Sequence, residues 1–320
     1  MNEFEIIGRY FAPLATDDGA FALKDDAAII RPRGGFDLVV TSDQVAEGTD
    51  FFAGDMPRLV AKKALRVNLS DLAAKGAEPE YYLLALSLPL GVTEEWLREF
   101  AMGLEEDQKL YHLSLLGGDT QRGSGPVAIA ITAMGFVPHG KMVRRTGAQP
   151  GDGLFVTGTI GDSGGGLSLL KAQRDSETRE TQTLVACYHL PQPPTAFGPF
   201  LRKWATAAID ISDGLMADLG HLAEASNVKL EVDAQAIPRS EALSSAWGDG
   251  REAILRAATA GDDYQIAFTA GLDREDEIHA AAAEAHIRVS RIGLVKAGRG
   301  ARILYRGCEM AMPKPGYRHF

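Results

Sequence analysis

Residues 57–76, PRLVAKKALRVNLSDLAAKG, decide the fold class. Leucine and valine recur in this stretch near the helical spacing and Gly76 follows as a stop, so the stretch predicts one long helix. Apolar runs on both sides of it, at residues 39–40 and 82–88, are typical of strands. Strands and helices continue to alternate along the rest of the chain. The sequence therefore predicts an α/β (α+β) protein in which helices pack on mixed sheets.

A stretch rich in glycine and proline, residues 138–153, separates two halves of the chain. We interpret it as a linker and predict domains at residues 1–138 and 139–320. The other predicted helices cover residues 93–111, 215–225 and 275–285 and a segment from about Leu167. The other predicted strands cover residues 113–116, 127–136, 154–157 and 264–269. We expect Gly117-Gly118 to end the strand at residues 113–116. We expect Ser212 to cap the predicted helix at residues 215–225.

The bulk composition is that of an ordinary globular protein of 320 residues, 45% hydrophobic and 24% charged. Its formal charge of −10 argues against broad binding to a nucleic-acid backbone, although metals can still mediate contact with phosphates. Two cysteines make neither a disulfide framework nor a zinc site on their own. The first residues include acids and no long apolar run, so we expect a cytoplasmic protein without a membrane span.

Five short segments each place an aspartate where a strand or helix is expected to end. They are KDDA (24–27), TSD (41–43), NLSD (68–71), GGDT (117–120) and DISDG (210–214). One such aspartate is ordinary, because aspartate favours turns and helix caps. Five suggest carboxylates that converge on one cleft, where divalent cations such as Mg²⁺ would relieve their repulsion. Metals held in this way suggest a nucleotide polyphosphate as the ligand.

Some of these acids also have a purely structural interpretation. Asp71 shares a helix face with Asn68 and Lys75, which suits a solvated face with an ion pair and equally a metal ligand. Adjacent side chains in an extended segment point in opposite directions, so at most one of Asp25 and Asp26 would enter a shared site. The sequence pattern leaves both interpretations open.

Segments that contain glycine are further candidates for phosphate binding. GGDT combines glycines, which permit close approach of the backbone to a phosphate, with a carboxylate for its metal. The glycine-rich turn at residues 158–166 suits an anion site and equally a tight structural turn. Residues 135–142, GFVPHGKM, match the P-loop pattern through Gly-Lys but carry Met142 where serine or threonine is required, so we exclude a P-loop.

Taken together, five motifs closely resemble the thiamine-monophosphate kinase family, in the superfamily of aminoimidazole ribonucleotide synthetase and selenophosphate synthetase. The motifs are KKALRVNLSDLAAKGA (62–77), GGDT (117–120), IDISDGL (209–215), GDDY (261–264) and the tail GY (316–317). The resemblance covers nearly the whole chain. It implies two mixed α/β domains of the aminoimidazole ribonucleotide synthetase-like type, with the N-terminal sheets paired in a homodimer.

The resemblance also implies a reaction, in which ATP phosphorylates thiamine monophosphate to thiamine diphosphate with several Mg²⁺ ions. Residues 1–138 would bind metal and ATP and dimerise, and residues 139–320 would complete the nucleotide and substrate site. The implied metal ligands are Asp26, Thr41, Ser42, Asp43, Asp71, Asp119, Asp210 and Asp213. The implied ATP contacts are Gly118, Asp119, Arg145, Ser212 and Tyr111. The implied substrate contacts are Asp50, Asp262 and Tyr317. The acids that would act in catalysis through the metal are Asp43, Asp71 and Asp119.

The chain departs from the family pattern at three positions. Lys24 replaces the glycine of a Gly-Asp-Asp motif. Asp50 replaces a histidine that is common in the substrate site, and Asp262 is one methylene shorter than the family glutamate. The last two departures touch substrate recognition, whereas every carboxylate of the implied metal cluster is retained.

No general base is expected, because a phosphate monoester with a second pKa of about 6 is largely ionised at neutral pH. Other members of the superfamily, which form acyl- or seleno-phosphates, are the alternative enzymes. Selenophosphate synthetase is disfavoured because no cysteine precedes Cys187, and the motifs match aminoimidazole ribonucleotide synthetase less well. A metal–nucleotide binding protein without catalysis is the non-enzymatic alternative, which the Asp50 departure keeps open.

Overall fold

The computed structural model describes residues 3–173, 178–312 and 314–317. The chain forms two compact units, the first from Met1–Leu72 and Ala77–Lys141 and the second from Ala73–Gly76 and Met142–Phe320. Each unit combines a sheet with helices, which confirms the predicted mixed α/β fold. None of the helices in the described ranges is long and apolar enough to cross a membrane.

The first unit is built on a sheet with the strand order β1-β4-β2-β3, in which only the β2–β3 pair is parallel. Its strands are β1 Phe36–Ala46, β2 Glu78–Leu88, β3 Ser114–Arg122 and β4 Ala128–Pro138. Its helices are α1 Glu3–Ile6, α2 Pro57–Ala74 and α3 Glu94–Tyr111, with short π and 3-10 turns at Ile7–Phe11, Ala12–Leu14 and Asp18–Leu23. The predicted helix at 93–111 is confirmed, since Thr93 caps α3 by accepting the Trp96 N–H at 3.1 Å.

The two faces of this sheet differ in burial because side chains alternate along each strand. On β2, Tyr82 and Leu84 are buried, and the Tyr82 hydroxyl donates to Gln108 of α3 at 2.7 Å. Leu83 lies between them and points to the other side, where it is exposed. That other side carries a patch of exposed apolar residues on β1 and β2, which we call the open face. It consists of Phe36, Leu38, Val40 and Leu83.

Two strands of the first unit run past the residues that were predicted to end them. β3 continues through Gly117-Gly118 to Arg122, with a register shift opposite Tyr82/Leu83. Leu116 is the extra residue of this bulge, Gly117 and Gly118 pair with β2 directly after it, and the predicted end of the strand at residue 116 was wrong. The prediction that Asp43 follows a strand was also wrong, because β1 extends to Ala46 and pairs Asp43 with Ile131 of β4.

The second unit contains a sheet with the strand order β11-β10-β7-β9-β5-β8-β6, in which only β10 and β7 run parallel. Its strands are β5 Gly153–Thr157, β6 Ala205–Ile211, β7 Lys229–Asp233, β8 Gln265–Ala270, β9 Val289–Lys296, β10 Gly300–Tyr305 and β11 Cys308–Glu309. Its helices are α4 Asp162–Lys171, α5 Arg179–His189, α6 Gly198–Trp204, α7 Leu215–Ser226, α8 Glu241–Trp247, α9 Arg251–Ala258 and α10 Glu275–Glu284, with 3-10 turns at Ala234–Ala236 and Leu272–Arg274.

Helices cover both faces of this second sheet. Leu154 and Val156 of β5 pack with Leu219 of α7, whereas Phe155 between them packs with Phe268 and with Ile278 of α10 on the other side. Period-two alternation thus feeds two separate apolar layers. Strands β5, β6 and β8 are buried on both faces, which explains their nearly continuous apolar runs.

The start of α4 corrects the prediction of a helix from about Leu167. The helix begins at Asp162, so most of the predicted glycine-rich turn is helical. Gly161 precedes it with φ +91°, and a Cβ on Gly166 would lie 2.1 Å from the carbonyl oxygen of Leu184 in α5. Close packing of α4 on α5 therefore requires glycine at residue 166. In the sequence alone, the same run of glycines indicates a turn.

A buried ion pair joins the two long helices of the first unit. Arg66 of α2 and Asp107 of α3 have side chains that are 3% and 1% exposed, and two hydrogen bonds of 2.7 and 2.9 Å link them. Burial of either charge alone is costly, because the low-dielectric interior does not replace its hydration. The pair thus fixes how α2, which carries Asn68 and Asp71, lies on the sheet.

We predict that Asp107→Ala lowers the free energy of unfolding by about 3–5 kcal/mol, because the buried Arg66 guanidinium loses the opposite charge and the two hydrogen bonds of Asp107. Urea unfolding followed by circular dichroism measures this. The control is Lys109→Ala, which breaks the exposed Lys109–Glu105 pair on the same helix and should change the free energy by less than about 0.5 kcal/mol. Equal changes in the free energy of unfolding for the two variants would show that the buried pair stabilises the protein no more than the exposed one.

Candidate active site

Three acids of the first unit and one hydroxyl form a group that we call the acidic patch: Thr41, Asp43, Asp50 and Asp71. The Thr41 hydroxyl on β1 donates to the Asp71 carboxylate on α2. Asn68, one helical turn before Asp71, accepts the backbone N–H of Asp43 at 3.0 Å. The helix face that carries Asn68 and Asp71 is therefore turned towards β1 and is not the solvated face of the structural interpretation.

The charges of the acidic patch repel one another. Burial first, and then the negative charges of Asp71 and Asp50, raise the pKa of Asp43 to about 6. A raised pKa means that the ionised carboxylate is disfavoured in this environment. A cation at this position would reverse that penalty, and carboxylate and hydroxyl oxygens are the ligand type that hard cations prefer.

Two other predicted metal ligands of the first unit lie differently. The Ser42 hydroxyl points to the opposite side of β1 from Thr41, where it lies 3.0 Å from the Thr132 hydroxyl and donates to the Ile131 carbonyl at 3.2 Å. Asp26 is exposed, and its N–H donates to the Asp25 carboxylate at 2.8 Å. In the described parts of the chain, no three acidic, histidine or cysteine side chains gather closely enough to hold a metal by themselves.

Asp50 has a structural task in addition to its charge. Its carboxylate accepts the Ala46 N–H at 2.8 Å, and its backbone carbonyl accepts from the Lys63 ammonium at 2.9 Å. These contacts fasten the turn after β1 to helix α2. The departure from the family histidine at this position therefore changes a turn and adds a negative charge to the acidic patch.

Asp119 and Gly118 lie on β3, beside a cavity of about 750 Å³. The cavity is lined by Asp119, Thr120, the β2–α3 connection at Leu90 and Val92, and Glu3 of α1. Gly118 approaches β2 so closely that a Cβ would lie 1.7 Å from the Leu84 carbonyl oxygen. Only glycine permits this approach, so the position of Asp119 depends on Gly118.

Tyr111, the weaker of the predicted ATP contacts, is the last residue of α3. The Arg66 guanidinium lies 5.3 Å from the centre of its ring, which is within the range of a cation–π contact. Burial raises the pKa of its hydroxyl. Tyr111 thus packs on the buried ion pair, and its role in binding ATP stays a prediction.

In the second unit the structure brings together four predicted residues from three distant parts of the sequence. The Asp262 N–H donates to the Ser212 carbonyl at 2.8 Å, and the Tyr317 N–H donates to the Asp213 carbonyl at 2.9 Å. Asp210 precedes them at the buried end of β6, and Arg145 is exposed, with its carbonyl bound by the Ser226 hydroxyl at 2.8 Å. The predicted substrate contacts Asp262 and Tyr317 therefore lie beside the predicted ATP contact Ser212 and the predicted metal ligand Asp213.

A buried acid that the sequence analysis missed shapes the Ser212–Asp213 turn. Asp218 of α7 accepts the N–H groups of Ser212 and Asp213 at 3.1 and 3.2 Å. Burial first, and then the charge of Asp213, raise its pKa to about 7. Ser212 does not cap α7 as predicted, because Gly214, with φ +120°, occupies the N-cap position and no side chain makes a capping hydrogen bond to this helix. An acid in the first turn of a helix was the available signal.

A second missed acid, Asp263, is buried beside Asp262. Its carboxylate accepts the Gly161 N–H at 2.7 Å at the start of α4. Burial raises its pKa, and the N–H groups of Gly161 and Ser163 oppose that rise. The first turn of α4, which the sequence left open as an anion site, is therefore occupied by the chain's own carboxyl group.

Comparisons with known proteins find matches that extend over both units. Two family descriptions match: "AIR synthase related protein, N-terminal domain" at residues 24–137 and "AIR synthase related protein, C-terminal domain" at residues 149–306. Thiamine-monophosphate kinase of Caulobacter vibrioides is 40% identical, with 99% of this chain and 91% of that protein covered. The chain belongs to the thiamine-monophosphate kinase family. The Salmonella typhimurium member is 36% identical, with 100% and 98% covered.

Solved structures of the family have the same fold. Thiamine-monophosphate kinase from Stenotrophomonas maltophilia is 39% identical and superimposes with a TM-score of 0.86, covering 95% of this chain and 96% of that one. A structure of AaThiL complexed with AMPPCP and TMP is 28% identical with a TM-score of 0.80, covering 100% and 99%. The hydrogenase maturation protein HypE, at 18% identity and a TM-score of 0.78, shares the fold alone.

We predict that Gly118→Ala destabilises the protein by about 1–3 kcal/mol, because the new methyl group forces β3 away from the Leu84 carbonyl. Thermal unfolding measures this. The control is the neighbouring Gly117→Ala, whose Cβ would meet nothing closer than a Leu83 methyl group at 3.6 Å. If the two alanine variants unfold at the same temperature, the close approach at Gly118 does not constrain β3.

Proposed function

We propose that this protein transfers the γ-phosphoryl group of ATP to thiamine monophosphate and so forms thiamine diphosphate. The observation that carries the proposal is the full-length match to thiamine-monophosphate kinases, together with the ligands AMPPCP, an ATP analogue, and TMP that AaThiL binds. The grouping of Ser212, Asp213, Asp262 and Tyr317 in one unit supports it. Activity of another superfamily member and binding without catalysis are its alternatives.

The acidic patch suits Mg²⁺ on two grounds. Its donors are carboxylate and hydroxyl oxygens, and burial, followed by the charges of Asp71 and Asp50, raises the pKa of Asp43. Mg²⁺ is usually held by one or two carboxylates plus substrate phosphates and water, so a closed cage of protein ligands is not required. We propose Asp43, Asp71 and Asp119 as its principal protein ligands, with Asp26, Thr41, Ser42, Asp210 and Asp213 as further candidates. When bound, Mg²⁺ would screen the repulsion between the two phosphorylated substrates.

The chain's own residues contribute mainly by positioning. The attacking phosphate oxygen is already ionised, so no side chain has to remove a proton. In our proposal the Ser212–Asp213 turn, held by Asp218, meets the nucleotide together with Gly118 and Arg145, whose positive charge suits a triphosphate. Asp50 and Asp262 carry negative charge that suits the cationic thiazolium of the substrate. Within the second unit, the Tyr317 N–H donates to the Asp213 carbonyl and the Asp262 N–H donates to the adjacent Ser212 carbonyl.

We predict that Asp71→Asn reduces the rate of thiamine diphosphate formation by at least about 100-fold, because a neutral amide neither attracts a cation nor balances its charge. The assay incubates the protein with Mg-ATP and thiamine monophosphate and separates the products by charge. Thiamine diphosphate and ADP should form in equal amounts with the unaltered protein.

The matched control is Asp276→Asn, which removes an exposed acid from the first turn of α10 and should keep full activity. Both variants should unfold within about 2 °C of the unaltered protein. Near-normal turnover of Asp71→Asn at limiting Mg²⁺ would contradict the role of Asp71. ADP and free phosphate without thiamine diphosphate would favour a different acceptor substrate.

We also propose a homodimer in which the open face of the first unit packs against its counterpart in a second copy. Val40 and Leu38 are 55% and 42% exposed on β1, and Leu83 is 37% exposed on β2. Exposed apolar residues at alternate strand positions are unfavourable in water and typical of a protein interface.

A cytoplasmic location stays a prediction.

We predict that Val40→Asp converts the dimer to a monomer, because each interface would bury two unpaired carboxylates. Sedimentation velocity at micromolar concentration measures the change in mass. The control is Leu110→Asp, which alters a residue that is 58% exposed on α3 and should leave the mass of the dimer unchanged. A monomeric unaltered protein, or a Val40→Asp variant that remains dimeric, would refute the proposed interface.

A further inference from the structure

A short strained segment connects the predicted substrate residue Asp262 to the interior of the second unit. Asp262 and Tyr264 have φ values of +69° and +50°, a left-handed conformation that residues other than glycine rarely adopt. Asp263 lies between them and is buried. Such a conformation persists only where surrounding contacts enforce it, so these contacts identify what holds Asp262 in place.

Contacts on two sides enforce the conformation. On one side, the N–H groups of Asp262 and Tyr264 donate to the carbonyls of Ser212 and Ile211 at 2.8 and 2.7 Å. On the other side, the Asp263 carboxylate accepts the Gly161 N–H at 2.7 Å and also the Ser163 N–H, both at the start of α4. The segment is therefore stretched between the Ser212–Asp213 turn and a helix end.

The same geometry separates the two adjacent aspartates. Asp263 points inward to α4, whereas Asp262 keeps part of its surface exposed and accepts a hydrogen bond from the Tyr264 hydroxyl at 3.1 Å. The positive end of the α4 dipole favours a carboxyl group at its first turn. Loss of that anchor would release the strain at residues 262 and 264 and let the Asp262 carboxylate move.

We infer that Asp263 is a positioning residue of the substrate site: by fastening the 261–264 segment to the start of α4, its carboxyl group sets where Asp262 lies relative to Ser212 and Asp213. The inference rests on the proposed function for the identity of the substrate. It assigns Asp263 no contact with substrate and no part in proton transfer. Its effect on thiamine monophosphate acts through Asp262.

The test compares steady-state kinetics of Asp263→Ala and Asp263→Asn. Asp263→Ala should raise KM for thiamine monophosphate about tenfold and change KM for ATP less than about threefold, because Asp218 still holds the Ser212–Asp213 turn. Asp263→Asn keeps a side-chain oxygen for the Gly161 N–H and should restore KM to within about threefold of normal. If Asp263→Ala does not fold, Asp263→Ser, whose side chain is too short to reach α4, takes its place.

A double-mutant cycle separates positioning from general destabilisation. In an Asp262→Ala background, Asp263→Ala should raise KM by no more than about twofold, because the group it positions is gone. The matched control is Asp162→Ala, which removes an equally buried acid from the same helix start, where it accepts from the Thr159 and Ser240 hydroxyls at 2.6 Å. It should leave both KM values unchanged. Additive effects, or an equal rise in Asp162→Ala, would overturn the inference.

Hydrogen exchange distinguishes this inference from the proposed function. In Asp263→Ala, the amides of Asp262 and Tyr264 should exchange at least about tenfold faster, while that of Phe268 within β8 stays protected. Unchanged exchange at both amides would overturn the positioning role whatever the activity. If the unaltered protein forms no thiamine diphosphate while Asp263→Ala still shows this exchange pattern, only the proposed reaction is refuted.

Discussion

The structure depends on supplying hydrogen-bond donors to carboxylates that the fold removes from water. An isolated buried carboxylate is too costly to keep charged, so each one must meet a cation or several N–H groups. Asp107 receives the Arg66 guanidinium, Asp218 receives the N–H groups of the Ser212–Asp213 turn, and Asp263 receives those at the start of α4. The Asp107 and Asp263 contacts join elements that are distant in sequence, whereas the Asp218 contacts are local, and each of the three fixes a segment that carries predicted site residues.

The acids of the acidic patch lie under a different constraint. Thr41 and Asn68 hold Asp71 and Asp43 in place, and burial, followed by the repulsion between the acids, raises the pKa of Asp43. Charge that is disfavoured in the protein alone is stabilised when a cation and an anionic ligand enter together. The buried acids Asp107, Asp218 and Asp263 therefore make the structure rigid. The acidic patch instead keeps negative charge that a bound metal and polyphosphate would stabilise.

Alternation along one strand separates the two proposed functional surfaces of the first unit. On β1, the Thr41 hydroxyl reaches Asp71 of α2, whereas Val40 and Ser42 lie on the opposite face with Leu38. A shift of one residue in the β1–β4 register would turn Thr41 and Asp43 to the open face and Val40 and Ser42 to the side of the acidic patch. The register is fixed along the whole of β1, from Phe36 paired with Pro138 to Ala46 paired with Ala128.

The sequence by itself determined the fold class, the family and the helices α2, α3, α7 and α10, because helical spacing and family motifs are local properties of the chain. It did not determine where β1, β3 and α4 begin or end, since polar and glycine residues there satisfy tertiary contacts that no spacing pattern contains. Nor did it find Asp218 and Asp263, whose neighbours in space lie five and about 100 residues away. Only the tertiary structure decided which aspartate of a pair is buried, because burial depends on donors that the rest of the fold brings to it.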